Sequence, residues 1–303
     1  EVIEQMRADE RTRDIPVIFT TALSATEDEQ QGLVLGAVDY ITKPLKPAIV
    51  LARVHTHLEL AHARRRLAVL NNELELEVQH RMRENLLIQE VSIRALARLA
   101  ETRDNETGNH LLRTQAYVRT LAQQLRHHPD YAPELDDRSI AMFARSAPLH
   151  DIGKVGIPDQ VLLKPGPLTP DEWAVMKTHA QLGAEAIARA ELEDEPHVEF
   201  LDCAIQIARH HHERWDGRGY PDGLVGSSIP LAARLMALAD VFDALIAERV
   251  YKLAMPFDQA RVAIVAGRGT QFDPNIVDAF VACYDEFCAI ARQHSDALAD
   301  NHP

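Results

Sequence analysis

Over the first sixty residues, short apolar runs alternate with polar, helix-patterned stretches. Ile15 to Ala22 (IPVIFTTA) is apolar and β-branched after a polar turn, which predicts a short buried strand. Glu27 to Gly36 predicts a helix ended by its glycine. Asp39 to Thr42 predicts a second short strand running into Lys43-Pro44, and Ile49 to Leu60 another helix. This alternation predicts part of an α/β unit with a parallel sheet. From Leu60 to Leu86 the pattern becomes one long polar helix without glycine or proline. Leu60, Ala63, Leu67, Leu70 and Leu74 follow the three-and-four spacing of a coiled-coil seam, and Val78, Met82 and Leu86 continue four apart, as in a stutter.

Beyond Val91 the chain is more apolar and stays helical almost to its end. Asn105 to His110 interrupts it with turn residues. Arg138 to Leu149 reads as an amphipathic helix whose end is bent by Pro148. Thr169-Pro170-Asp171-Glu172 has the form of a capping box with proline at the first helical position. Val198 to Ala208 is apolar at helical spacing. It leads into His210-His211-His212-Glu213 and then a glycine- and aromatic-rich loop from Trp215 to Gly223. Leu231 to Ile246 is too apolar for a surface helix, yet it contains Asp240 and Asp243. Buried carboxylates need a metal or a hydrogen-bond network. The fold class expected from this pattern is mostly α, after a short α/β segment.

Composition narrows the function classes. A chain of 303 residues has room for more than one domain. Hydrophobic content of 46% with only 5% aromatics favours Leu/Ala-rich helices over a β-sandwich. A formal charge of −14 argues against a nucleic-acid or anionic-membrane binder. Cys203, Cys283 and Cys288 contain no CxxC pair, which fits reduced thiols in the cytoplasm. No apolar run reaches the length of a membrane span. The chain starts at Glu1 inside a helical pattern, as a fragment of something longer would.

The candidate chemistry centres on His150-Asp151-Ile152-Gly153-Lys154. Imidazoles and carboxylates suit divalent transition metals, and a lysine suits a phosphate. On a helix, His150 and Lys154 would share a face. Further histidines and acids recur downstream in apolar settings, including His179 after the capped helix. His211 and His212 are adjacent, so both can point inward only if their helix ends or distorts there. Asp243 lies one turn beyond Asp240 and is expected to orient a ligand. His210 is expected to stay outside the ligand set.

Two resemblances follow. Thr21-Ala22, Gly36-Ala37-Val38-Asp39-Tyr40 and Lys43-Pro44 resemble the C-terminal half of a response-regulator receiver domain. In that family the threonine and the lysine contact a phosphoryl group on an aspartate. Here Thr21 and Lys43 are present, but that aspartate and the first strands are absent, so the fragment is not expected to be phosphorylated. A complete receiver implies a sensor histidine kinase as partner.

The rest, from about Val91 to Cys288, resembles the HD-GYP family of cyclic di-GMP phosphodiesterases. The carriers are Glu106-Thr107-Gly108-Asn109-His110, Ala147 to Lys154, and Lys177-Thr178-His179. They continue in His211 to Pro221 with Gly219-Tyr220-Pro221 intact, and in Ala239 to Leu245. The resemblance implies an all-helical HD-type metal-dependent phosphohydrolase domain. It implies His150, Asp151, His179, His211, His212 and Asp240 as metal ligands, with Asp151 bridging two ions. Glu106 and His110 would extend the site to a third, outer, solvent-facing metal. Two or three ions are implied, and the donor set suits Fe, Mn, Ni or Zn. Lys154 would bind a phosphate oxygen. Tyr220 would pack on a guanine, and Arg249 and Lys252 would meet phosphates.

The expected layout is therefore residues 1–57 as the incomplete receiver, 58–90 as a linker helix that forms a homodimer, and 91–303 as the phosphodiesterase. The activity expected is hydrolysis of cyclic di-GMP to pGpG, and on to GMP. The alternative is a module that senses the cyclic dinucleotide without turnover.

Overall fold

Ile18–Thr21 (β1) and Asp39–Thr42 (β2) pair in parallel in the computed structural model, with Ile18 opposite Asp39 and Thr21 opposite Thr42. The structure describes residues 2–22, 33–103, 109–190, 198–247 and 254–295. By its internal contacts the chain divides into two units, Glu1–Leu86 and Leu87–Pro303.

In the first unit, Val2–Ala8 (α1) buries Ile3, and Ala37 and Ile41 are buried as well. The first strand is shorter than the expected Ile15 to Ala22. Its opening residues are used otherwise: the Ile15 amide donates to the Thr12 carbonyl, and Pro16 has no N–H for a ladder. The helix expected over Glu27 to Gly36 lies mostly outside the described residues.

The helices expected over Ile49 to Leu60 and Leu60 to Leu86 are one continuous helix, Pro47–Glu101 (α2), 55 residues long. Proline occupies its first position, where the missing N–H costs nothing, and neither glycine nor proline follows to break it. Its seam is uncovered in this single chain: Leu67 is 66% exposed and Met82 60% exposed.

The described residues of the second unit are mostly helical. Its helices are Asn109–Leu125 (α3), Asp137–Ser146 (α4), Asp159–Leu162 (α5), Pro170–Lys177 (α6), His179–Ala188 (α7) and Glu199–His210 (α8). Leu231–Ile246 (α9), Phe257–Ala266 (α10), Pro274–Ala282 (α11) and Tyr284–Gln293 (α12) follow. α9 runs through the core, burying Leu231, Leu235, Leu238 and Phe242. The few aromatics concentrate around it. Tyr117 and Phe287 stack at 4.4 Å, and Phe242 meets Phe280 and Phe287 at 5.3 Å. Such contacts add to the burial of large apolar area.

Three local features set up the site. First, α4 is capped by Asp136, which accepts from the Ser139 amide at 2.7 Å. It stops at Ser146, and Pro148 sits in a single 3₁₀ turn, Ala147–Leu149. His150 and Asp151 form a turn, and Ile152–Gly156 forms a second 3₁₀ stretch. The α-helical face expected to join His150 to Lys154 is therefore not formed. Second, Gly153 lies against the start of α7, where a Cβ would fall 2.0 Å from the His179 carbonyl oxygen and 2.4 Å from the Gly183 nitrogen. Only glycine allows that approach. Third, α6 begins with a complete capping box. The Thr169 hydroxyl accepts from the Glu172 amide, and the Glu172 carboxylate accepts from the Thr169 amide.

Candidate metal centre

Two clusters of ligand-type side chains lie in the second unit: Asp151, His179, His211 and His212 in one, and His110, His150 and Asp240 in the other. Asp151 stands between them. Its Oδ1 is 3.2 Å from His179 Nε2 and 3.6 Å from His211 Nε2, while its Oδ2 is 3.3 Å from His150 Nε2. In the second cluster, Asp240 Oδ1 lies 3.8 Å from His110 Nε2 and 4.0 Å from His150 Nε2.

Backbone carbonyls set the imidazole tautomers. His150 Nδ1 is 2.9 Å from the Ala147 oxygen, His179 Nδ1 2.8 Å from the Met176 oxygen, and His211 Nδ1 3.0 Å from the Ile207 oxygen. A carbonyl oxygen only accepts, so each Nδ1 carries the proton and each Nε2 presents a lone pair. His110 is set likewise by a carboxylate, with Nδ1 2.8 Å from Asp243 Oδ2. The lone pairs of His110 and His150 thus face one another at 3.4 Å. Asp151 Oδ1, His179 Nε2 and His211 Nε2 are buried and make no hydrogen bond. Buried acceptors gathered without donors are costly alone and suit a cation held among them. The residues therefore fit divalent metal ions, and these atoms would hold them.

The electrostatics agree. Burial alone would raise the Asp151 carboxyl, but Lys154 and His150 hold it well below the usual carboxylate range. Burial lowers His211. It lowers His212 further, helped by the neighbouring His211 and His179 imidazoles. Both shifts favour the neutral imidazole, the form that ligates. Burial pulls His150 down, but the Asp151 and Asp240 charges outweigh it and raise it on balance. A divalent ion would take the place of the proton that those carboxylates favour.

Around the clusters, Asp243 is 1% exposed and accepts from Arg113 through both oxygens, at 2.7 and 2.9 Å, while holding His110. Arg113 also donates to the His294 carbonyl. Burial works against the Asp243 charge, but His110 and Arg113 outweigh it and lower its pKa. His110 differs from the expected outer, solvent-facing ligand. It is buried and sits with His150 and Asp240. Its expected companion Glu106 lies outside the described residues, as do Arg249 and Lys252.

α8 ends at His210, which frees both following histidines. His211 is buried, His212 is partly exposed, and their rings lie 3.9 Å apart. His210 is turned away from the clusters toward Asp222, 3.1 Å from its Oδ2. Lys154 Nζ lies 2.8 Å from Asp151 Oδ2, which puts the ammonium at the carboxylate between the clusters. Tyr220 stacks on His212 at 4.8 Å and 27°, so one face of its ring is already used. In the first unit, Thr21 and Lys43 are neighbours, the Lys43 amide donating to the Thr21 carbonyl at 2.8 Å.

Three supporting residues were not assigned roles from the sequence. Glu213 is buried and accepts from the amides of Asp222, Gly223 and Leu224, at 2.7, 3.0 and 3.1 Å, pinning the loop that carries Tyr220. Its signal was an acid between two histidines and a glycine-rich loop. Arg113 carried no signal beyond a cation in an apolar helix. Glu101, the buried last residue of α2, lines a small cavity with His150, Asp151 and Lys154.

Residues 94–276 match the family described as HD domain. Over 98% of this chain and 67% of the relative, the sequence is 51% identical to a protein of Vibrio cholerae serotype O1 named "Probable cyclic di-GMP phosphodiesterase". A second protein of that organism, named "Cyclic di-GMP phosphodiesterase", is 51% identical over 76% of this chain and 47% of its own length. "Cyclic di-GMP phosphodiesterase response regulator RpfG" of Xanthomonas campestris pv. campestris is 38% identical over 95% of this chain and 72% of its own. Among the described residues no helix is long and apolar enough to cross a membrane.

Proposed function

The chain belongs to the HD domain family and is a metal-dependent phosphodiesterase; on that premise we propose that its substrate is cyclic di-GMP, opened to pGpG and then to GMP. The observation that carries this reading is the convergence of Asp151, His179, His211 and His212 with His110, His150 and Asp240, the Nε2 lone pairs of His150, His179 and His211 directed by backbone carbonyls and that of His110 by Asp243. Two or three divalent ions held there would polarise a phosphodiester and supply a nucleophile at neutral pH, so no serine or cysteine nucleophile is needed.

This chain's own residues do the rest. Asp151 links the two clusters and fixes their separation. Lys154 offsets negative charge developing on a phosphate oxygen. Asp243 and Arg113 hold His110 in its ligating tautomer. Tyr220 borders the substrate, and Arg249 and Lys252 meet its phosphates. Glu106 adds the carboxylate of a third metal site. The name of the Vibrio cholerae relative that is 51% identical over 98% of this chain and 67% of its own length supports the choice of substrate.

The layout proposed is residues 1–57 as part of a receiver domain, with Thr21 and Lys43 in its switch, 58–90 as linker, and 91–303 as the catalytic domain. The parallel pair of strands and the likeness to a named response regulator support the receiver and, with it, a sensor histidine kinase as partner. The uncovered seam of α2 supports a homodimer. A cytoplasmic setting fits the three unpaired cysteines.

Nucleotide chromatography tests the activity. Metal-loaded protein incubated with cyclic di-GMP should yield pGpG and later GMP. Bound but unchanged cyclic di-GMP would make the chain a sensor instead.

A further inference from the structure

Tyr220 is the aromatic residue that the sequence offers to a guanine, yet its ring is already engaged. His212 stacks on it at 4.8 Å, and the Lys177 ammonium stands over it, 5.8 Å from the centroid. A planar base needs an open aromatic face. The neighbouring aromatic residue that is about half exposed is Trp173. Its indole meets Tyr220 nearly edge-on, with centroids 6.4 Å apart and planes at 81°, and it is 48% exposed. Nearly half-exposing an indole forgoes much of the apolar burial that it normally provides.

The support beneath Trp173 is firm. Trp173 and Lys177 are four residues apart on α6, so they share a face. α6 starts with a capping box, and Glu172 also pairs with Lys164 at 2.5 Å. Two residues after α6 comes His179, whose ring lies 6.4 Å from Tyr220 and whose Nε2 belongs to the metal clusters. The indole is thus tied by one short helix and one aromatic contact to the atoms that would hold the metal ions.

We infer that Trp173 is the platform on which one purine base of the dinucleotide stacks, with Tyr220 as the wall behind it rather than the stacking surface. This rests on the proposed dinucleotide substrate. Stacking on an indole is indifferent to which purine is bound, because every base has a π-face. Trp173 therefore contributes affinity and not a choice between guanine and adenine.

The experiment uses the full chain, metal-loaded, as wild type, Trp173→Ala and Trp173→Phe. Steady-state kinetics are read on cyclic di-GMP and cyclic GMP-AMP, and tryptophan emission is followed during titration with cyclic di-GMP. Trp173→Ala should raise KM by roughly tenfold, by the same factor for both nucleotides, while kcat falls by less than KM rises. Trp173→Phe should recover most of the loss. Cyclic di-GMP should quench emission in the wild type, and the quench should disappear in Trp173→Phe, where Trp215 still reports. An unchanged KM in Trp173→Ala overturns the inference, as does a loss confined to one nucleotide or a quench that survives in Trp173→Phe. If the wild type proves not to hydrolyse cyclic di-GMP, the substrate reading fails by itself. The emission titration then decides the role of Trp173, and a wild type without quench overturns it.

Discussion

α2 and α9 are both regular helices rich in leucine and alanine, and the molecule treats them in opposite ways. α9 is covered on nearly every side: Ala233, Leu235, Met236, Leu238 and Phe242 are fully buried. It still carries Asp240 and Asp243, because imidazoles and Arg113 meet their charges. The part of α2 from Leu60 to Leu86 shows its apolar residues to solvent and surrounds them with Glu, Arg and Gln. The comparison teaches that an apolar pattern specifies a helix but not what covers it. Where the neighbours come from the same chain, carboxylates can be carried inside and put to use. Where they do not, the apolar seam stays exposed.

The comparison can be tested hardest at the buried carboxylates. Asp151→Ala removes the group that stands between the clusters. It should lower pGpG formation by at least roughly 10²-fold and strip metal from the protein, as read by chromatography and elemental analysis. Full activity in that variant would dismantle the site as described. Asp243→Ala leaves Arg113 buried without its main partner. It should cost about 3–5 kcal/mol of stability in a thermal or urea melt, and lower metal content by loosening His110. A melt indistinguishable from wild type would show that the Arg113 charge is not confined as the structure has it.

On the α2 side, Leu67→Ser combined with Leu74→Ser should weaken self-association by about tenfold or more per leucine in sedimentation, without loss of helix. A wild type that sediments as a monomer would end the seam reading. Glu106→Ala should remove about one equivalent of metal from fully loaded protein. An unchanged metal ratio would make Glu106 a bystander.

The smallest effect concerns Asp39 in the first unit. Burial would raise its pKa, but bonds to Arg53 at 2.6 Å and His57 at 3.1 Å lower it on balance. A carboxyl whose folded pKa lies below its unfolded value contributes stability above the ordinary carboxylate range and loses it as pH falls through the folded pKa. Asp39→Asn should therefore flatten the acid limb of the stability profile of the wild type slightly, and leave stability above pH 5 lower by about 1 kcal/mol at most.

Much of this was legible in the chain itself. The capping box at Thr169 and the end of the helix at His210 follow from local chemistry: a hydroxyl three residues before a glutamate, and two adjacent histidines that a regular helix cannot both turn inward. The expectation that Asp243 orients a ligand came from its place one turn beyond Asp240. Other features depend on atoms that meet only across the fold. No pattern places His110 against His150, forty residues away, or sets Arg113 and Asp243 together across 130 residues. The face shared by His150 and Lys154 is not formed, because 3₁₀ stretches flank the turn at His150 and Asp151, with Gly153 packed on the His179 carbonyl. Tyr220 is engaged because His212 stacks on it. Residue types and short-range spacing decide helices, caps and the supply of ligands, since those energies act within a turn or two. Which ligand meets which, which ring keeps an open face and which apolar seam is left uncovered are decided by packing. There each close contact excludes the alternatives, and only the folded chain brings the partners within reach.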